Sequence, residues 1–533
     1  MTRQRIYIVT AFTIGIAYRL LMGLQGIDSI DMGFCMTFYQ NIFTHPDAMP
    51  FYFNYYLTGL IGGLWQLLFG QFGLMGFRLL ETFTVAVSVW LLYRAFHPWL
   101  PSAGVTAAAV VLSFLFPSLI VTFHYDTLSF LLMAASVYAT SQWLQGGSVL
   151  WLMAAGAWIG VSFFARIVNG SLITLVAFPL FWGWRKSPRQ GIANALYYGG
   201  GIMAGSVLIL LLMALMGHLG YFVHAIAEAF GTFSGHETSH TSGNLFSVYL
   251  KSYVNIGLQI LALAALALYF GDAGHLRPRL KMGLRVVMLV VLIILVLTSQ
   301  PYLSAVAVCT LMIVITPQPL PLTFYALACA YLFPFGSDIG IPGIFHWCGG
   351  LLLIPAACCY QRLTSQWQRL VATLLGLVIA GNMIYKMGAT AYGEDLPRSE
   401  TFTTALPGTL NTMTDAQRAQ RYRNEVARIR QAAGDNPLLL IANQASELYY
   451  ATGMLPFTGN TQMGAFMGDA LAPRLDTQQA YYHRLPLIAF IRRGHYTDDM
   501  WEFREALVPW MRQKGYRRVY RDDDVELFSA DKP

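Results

Sequence analysis

Charged residues are scarce in this chain: Asp, Glu, Lys and Arg make up 11% of 533 residues, against 56% hydrophobic. Apolar runs of about the length that crosses a hydrocarbon core of roughly 30 Å recur along it, which excludes a soluble fold and indicates a multi-span membrane protein. Cysteine is equally uninformative as a framework. The six cysteines fall mainly within apolar segments, with neither metal-ligand spacing nor a disulfide pattern; a Cys35–Cys348 pair between two outer loops is left open. No internal repeat and no low-complexity tract is present. The first apolar run, Ile6 to Leu24, follows Arg3 and Arg5 but contains Arg19 and lacks a small-residue cleavage site before Asp28, so it is expected to stay as an anchor.

The net charge of +7 follows from topology rather than from a nucleic-acid partner, because Lys and Arg collect in cytoplasmic loops. Fourteen apolar segments are one too many for a consistent charge distribution. If Phe53 to Gly70, with Asn54, Tyr55, Tyr56, Thr58 and Gln66, lies at the outer interface, about 13 crossings remain. Twelve basic residues, among them Arg94, Arg185, Arg277 and Arg362, then fall inside, and only Arg166, Lys251 and Lys386 fall in short outer loops. The N-terminus is expected in the cytoplasm and the C-terminus outside. The fold expected is mainly α, a polytopic helical bundle over residues 1–389 with outer-face interfacial helices within 26–70. After Tyr385 the composition turns polar, and residues 390–533 read as a small soluble α/β domain in the periplasm of a bacterial cell. Within it, Thr414 with Gln417 forms a capping box, Gly434 stops the helix, and Leu438–Ala442 and Leu485–Arg492 read as strands. A helix around Trp501–Met511 and two short strands flanking Arg521–Asp524 complete the unit.

This orientation gathers Asp28/Asp31, Arg78/Glu81, His124-Tyr-Asp126, Arg166/Asn169, the loop His218–Lys251 and Gly336-Ser-Asp338 on the outer face. The stretch Gly26–Phe43 contains no Lys or Arg and places Asp28 and Asp31 just beyond a membrane helix. Phe34, Phe38 and Ile42 recur at helical spacing, so Phe34–Thr44 is expected as an amphipathic helix lying on the membrane. An ionisable residue at the edge of a span is costly unless it meets a partner or water, which points to function. Asp31 is the candidate base, whereas Asp28 reads as a helix cap or loop residue. Arg166 and Arg78 are candidates for contact with phosphate, to which guanidinium makes forked bonds. Arg78 and Glu81, three apart on one helix face, also fit an internal ion pair. His236-Glu-Thr-Ser-His240 sits among Ser, Thr and Gly and reads as a polar loop rather than a metal pair. Gly336-Ser-Asp338-Ile-Gly340 is a turn by composition, with Asp338 a candidate for sugar contact.

Asp31-Met32-Gly33, in which Met32 stands where an Asp-Glu-Gly form has Glu, and the following Phe38–Phe43 resemble the first external loop of the GT-C glycosyltransferases. The resemblance is to bacterial relatives of the dolichyl-phosphate-mannose protein mannosyltransferases and of the lipid A aminoarabinose transferase. It continues through Gly76-Phe-Arg78, His124-Tyr-Asp126 and Gly160–Asn169, covering roughly the first 170 residues. It implies an inverting transferase using a polyprenyl-phosphate-linked sugar, with a glycan, lipid or protein as acceptor. Asp31 would be its base, and Arg78, Asp126, Arg166, Asn169 and Asp338 its substrate contacts. No cofactor is assigned, and a divalent cation is left open. A multi-span transporter or lipid flippase is the alternative, although the related halves common in such proteins are not found here.

Overall fold

Apolar runs fold as helices because a lipid environment offers no partner for unpaired backbone groups. The computed structural model is accordingly mainly helical, with one small sheet region towards the C-terminus. The structure describes residues 3–100, 102–115, 122–234, 301–316, 320–337, 340–462, 471–491 and 504–530, apart from isolated positions, together with 246–255 and a few scattered neighbours. The first ten helices are α1 (Arg3–Met22), α2 (Asp31–Asn41), α3 (Tyr56–Phe69), α4 (Gly73–Phe96), α5 (Ala103–Phe114), α6 (Tyr125–Leu144), α7 (Val149–Ala165), α8 (Ala177–Trp184), α9 (Pro188–Leu215) and α10 (Leu219–Ser234).

Among the described residues four helical segments are long and apolar enough to cross a membrane: Gln4–Met22, Pro50–Trp99, Ile167–Trp184 and Pro188–Leu215. Five further apolar helices, Val149–Ala165 among them, are shorter, so the expected 13 crossings are not established by these elements. Pro50–Trp99 is broken rather than straight. A 3₁₀ turn, Pro50–Tyr55, leads into α3, and Gly73 turns the chain into α4 at φ +54° with its Cα close to the Thr409 carbonyl, where an added Cβ would lie 1.6 Å away. Only glycine meets both demands. With 14 residues, α3 spans roughly 21 Å, short of a full crossing.

Small residues let α7 and α9 touch backbone to backbone. A Cβ on Gly156 or Gly160 would lie 2.0 or 2.2 Å from the Tyr198 or Ile202 carbonyl oxygen, and Gly201 and Gly205 meet Met153 and Ala157 in the same way. Such small-xxx-small pairing is how helices associate when lipid removes the hydrophobic drive between them.

The C-terminal region holds a hairpin-like pair, β1 (Thr403–Thr404) with β2 (Met413–Thr414), and a five-stranded sheet. The sheet comprises β3 (Leu438–Ile441), β4 (Leu455–Pro456), β5 (Leu487–Ile491), β6 (Arg517–Arg521) and β7 (Val525–Ser529), in the order β4-β3-β5-β7-β6. β3 runs parallel to β4 and β5, while β7 is antiparallel to β5 and β6. The strands fall where their apolar runs place them, and Gly434 ends the helix Ala416–Ala433 at φ +54°. The cap differs from expectation: Asp415 Oδ1, not Thr414, accepts from the Arg418 N–H at 2.8 Å, and Thr414 instead donates to Glu394. A carboxylate one residue closer to the helix reaches the free N–H groups, which frees Thr414 for the strand.

One core runs through both regions: Phe38, Tyr56, Phe77 and Phe164 pack in the same cluster as Leu440, Tyr449 and Leu487. α2 forms as expected, and its apolar face meets protein rather than open surface. Met32 through Tyr39 and Asn41 are all buried, because α3 covers one side and the helix Glu447–Thr452 the other. An added Cβ on Gly33 would sit 2.0 Å from the Glu447 nitrogen, so the missing side chain admits that second helix. The expected loop His218–Lys251 begins instead with α10, whose Phe222, Ala225 and Ala229 are buried at helical spacing.

Candidate active site

Asp28 and Asp31 occupy the turn that enters α2. Asp28 Oδ1 accepts from the backbone N–H of Ile30 at 2.7 Å and of Asp31 at 3.1 Å, so it caps the helix as expected. Its Oδ2 is buried and without a hydrogen-bond partner. Burial, and then the neighbouring Asp31, push the Asp28 carboxyl up to about 8 against the pull of the two N–H groups. Asp28 thus keeps a proton at neutral pH. Asp31, the first residue of α2, is half-buried, and its Oδ1 accepts from Gln462 Nε2 at 3.2 Å.

A pH dependence of stability follows from Asp28. Its carboxyl is raised in the folded chain from an ordinary 3.8 to about 8, so its contribution is fully present below about 4 and is lost as pH rises through about 8. Thermal unfolding at pH 6 and pH 9 should therefore show a larger fall with pH for the native chain than for Asp28→Asn, which keeps the accepting oxygen. Parallel falls would remove Asp28 from this role.

The second carboxylate cluster forms at the start of α6. Asp126 Oδ1 pairs with Arg166 Nη1 at 3.0 Å, both buried, and the same nitrogen donates to the Phe333 carbonyl at 3.2 Å. The Arg166 guanidinium lies 5.7 Å from the Tyr125 ring and 5.5 Å from the Phe333 ring. His124 Nδ1 faces the Thr122 carbonyl at 2.8 Å and Thr127 Oγ1 at 2.9 Å, and its Nε2 lies 3.7 Å from Asp126 Oδ2.

Aromatic rings connect the two clusters. Tyr55 stacks on Tyr125 at 4.3 Å and meets Phe34 of α2 edge-on at 5.8 Å, while Phe34 stacks on Tyr52 at 4.1 Å. Tyr55 and Tyr125 both lie within electrostatic reach of Asp31 and of Asp126. Tyr39 of α2 donates to the Phe123 carbonyl at 2.9 Å, which ties α2 to the entry of α6.

The other candidates are engaged elsewhere. Arg78 is buried and donates to the carbonyls of Gly23 and Gly26 and to Thr412 Oγ1 at 2.6 Å, bracing the exit of α1 against β2's approach. It does not pair with Glu81, which meets Arg19 of α1 inside the bundle; Arg19 also donates to the Phe114 carbonyl at 3.2 Å. A buried charge takes the partner that reaches it, and α1 packs beside α4 at that level. Asn169 donates to Ser129 Oγ at 2.7 Å and to the Ser162 carbonyl at 3.0 Å, holding α6 and α7 together. Asp338 and the segment His236–His240 lie outside the described residues. All six cysteines, Cys35 and Cys348 included, are free thiols. Among the described residues no group of three or more His, Cys, Asp or Glu is placed to hold a metal ion. Sequence reasoning missed Gln462, which no local signal marks, and Tyr55, whose ring is one of many in an aromatic-rich stretch.

A multi-pass membrane chain with these two clusters invites comparison with membrane transferases, and the family model and the solved structure that it resembles both belong to the GT-C glycosyltransferases. Residues 56–214 match the family model of the dolichyl-phosphate-mannose-protein mannosyltransferases. The fold is similar to that of the Archaeoglobus fulgidus oligosaccharyltransferase in its apo form, with a TM-score of 0.51 at 11% identity, covering 99% of this chain and 74% of that one. No curated protein matches by sequence. The resemblance to the mannosyltransferase side of the GT-C glycosyltransferases is thereby supported over residues 56–214, and the likeness to the oligosaccharyltransferase is one of fold.

Proposed function

We propose that the chain is an inverting glycosyltransferase that moves a sugar from a polyprenyl-phosphate-linked donor to an acceptor on the outer face of a bacterial cytoplasmic membrane. The observation that carries this reading is that the stacked Tyr55 and Tyr125 lie within electrostatic reach both of Asp31 and of Asp126, the partner of Arg166. In the reaction Asp31 takes the proton of an acceptor hydroxyl while that oxygen attacks the anomeric carbon. The bond to the phosphate oxygen breaks with its electron pair, and Arg166 stabilises the charge left on the departing lipid phosphate. Asp126 orients the guanidinium, and the stacked tyrosines offer a surface for a sugar between the two.

In this reading residues 1–389 form the membrane transferase domain, with 13 crossings, a cytoplasmic N-terminus and the Phe53–Gly70 segment at the outer interface. Residues 390–533 form a periplasmic domain over the site. A lipid-linked donor suits that location, since nucleotide sugars are confined to the cytoplasm. The acceptor is a glycan, lipid or protein.

The test is transfer from a radiolabelled undecaprenyl-phosphate-linked sugar pool into acceptors of membranes carrying the full chain. Label should leave the lipid fraction only when the chain is present. A competent pool that is not consumed, but whose sugar changes membrane side, would turn the reading towards a flippase.

A further inference from the structure

We infer that Gln462 is a positioning residue for the base Asp31, so that the C-terminal region supplies a member of the site itself; this rests on the reading of Asp31 given above. Gln462 Nε2 lies 3.2 Å from Asp31 Oδ1, joining residues 431 apart in the chain.

The contact is built rather than casual. The Gln462 N–H donates to Asn460 Oδ1 at 2.9 Å, and Thr458 Oγ1 donates to the Asn460 carbonyl at 2.7 Å. Thr461 N–H donates to the Tyr52 hydroxyl at 2.9 Å, and that hydroxyl lies 2.7 Å from Thr461 Oγ1. Tyr52, Thr458, Asn460 and Thr461 are all buried to within about one per cent of full burial. A second tie, from the Ser446 N–H to the Ser29 carbonyl at 2.8 Å, holds the same region to the turn between Asp28 and Asp31.

Tyr52 couples both sides. Its hydroxyl fixes Thr461, next to Gln462, and its ring stacks on Phe34, one turn beyond Asp31 on α2. The carboxylate and its amide donor are therefore referenced to one side chain. A carboxamide is well matched to a base, because it donates to the carboxylate and fixes its rotation but leaves the negative charge that proton removal needs, which Lys or Arg would offset. Among the described residues, the titratable groups within electrostatic reach of Asp31 include Asp28 on the preceding turn, Cys35 one turn along α2, Tyr55 and Tyr125, with Glu447 reaching Asp28 from the docked helix.

The experiment compares the full-length native chain with Gln462→Ala and Gln462→Lys in lipid nanodiscs. Two readouts are taken: transfer from the labelled undecaprenyl-phosphate-linked pool across pH, and infrared titration of the carboxyl band that Asp31→Asn removes. Loss of the donor in Gln462→Ala should lower kcat about tenfold, with KM little changed, and move the acid limb and the infrared midpoint up by roughly one pH unit. Gln462→Lys restores a donor and adds positive charge, so both midpoints should move down, a reversal that mere loosening of the fold does not produce. Tyr52→Phe, which leaves Gln462 intact but frees its anchor, should act in the direction of Gln462→Ala. Equal infrared midpoints in the native chain, Gln462→Ala and Gln462→Lys would overturn the inference whether or not transfer is seen. Shifted midpoints with no transfer by the native chain would instead overturn the enzymatic reading, and with it any role of Gln462 in catalysis.

Discussion

Asp31→Asn should abolish measurable transfer while leaving the chain folded. General-base catalysis contributes about 10²–10⁴-fold, and the amide cannot take the acceptor's proton. The fold has little reason to respond. Asp31 is half-buried at the first position of α2, and asparagine keeps an oxygen that can accept from Gln462. The cap of α2 comes from Asp28, through the N–H groups of Ile30 and Asp31, and is untouched by the change. Asp28→Asn provides the contrast. It preserves the capping oxygen and removes a carboxyl that holds its proton at neutral pH, so transfer near pH 7 should fall by far less. Assays at matched membrane abundance would decide the case. If Asp31→Asn transfers as well as the native chain, proton removal belongs to another group.

How much of this was readable from the chain depends on the range of the interaction. Local pattern placed the strands Leu438–Ile441 and Leu487–Ile491 and the stop at Gly434, because each depends on neighbours a few residues away. The capping role of Asp28 was legible for the same reason. The surroundings of α2 were not. Phe34, Phe38 and Ile42 show the same spacing whether their neighbours are lipid tails or another helix, and the structure supplies protein on both sides. Gly33 carried the missing information, since a residue without a side chain permits the approach of Glu447, but glycine in a sequence does not say what approaches. The same holds for Gly156, Gly160, Gly201 and Gly205, whose spacing anticipates close helix pairing without naming the partner.

Charge bias bears on the side of the membrane a residue is expected to face and says nothing of its pairing. Arg78 and Glu81 share a helix face, yet each finds a different partner, because Arg19 arrives from α1 and β2 brings Thr412. Arg166 meets an acidic partner from the candidate set, Asp126. Gln462 lay beyond reach altogether, since nothing within 431 residues of sequence links it to Asp31.

The buried Arg166–Asp126 pair separates a structural role from a chemical one. Removing one partner of a buried pair leaves an uncompensated charge and costs about 3–5 kcal/mol, whereas replacing both by apolar residues of similar volume is often neutral. Arg166→Met alone should therefore lower the unfolding midpoint sharply, and Arg166→Met with Asp126→Leu should recover most of the loss. The recovery need not extend to activity. If the guanidinium also holds the departing phosphate, the stable double variant lacks the donor that transfer requires and stays inactive, because forked bonds to phosphate have no apolar substitute. Thermal unfolding and label transfer, measured on the same nanodisc preparations, report the two effects separately. Stability regained with transfer still absent assigns Arg166 to the phosphate. Transfer regained with stability makes the pair a brace between α6 and the segment that follows α7, where the carbonyl of Phe333 and the ring of Tyr125 already hold the guanidinium in place.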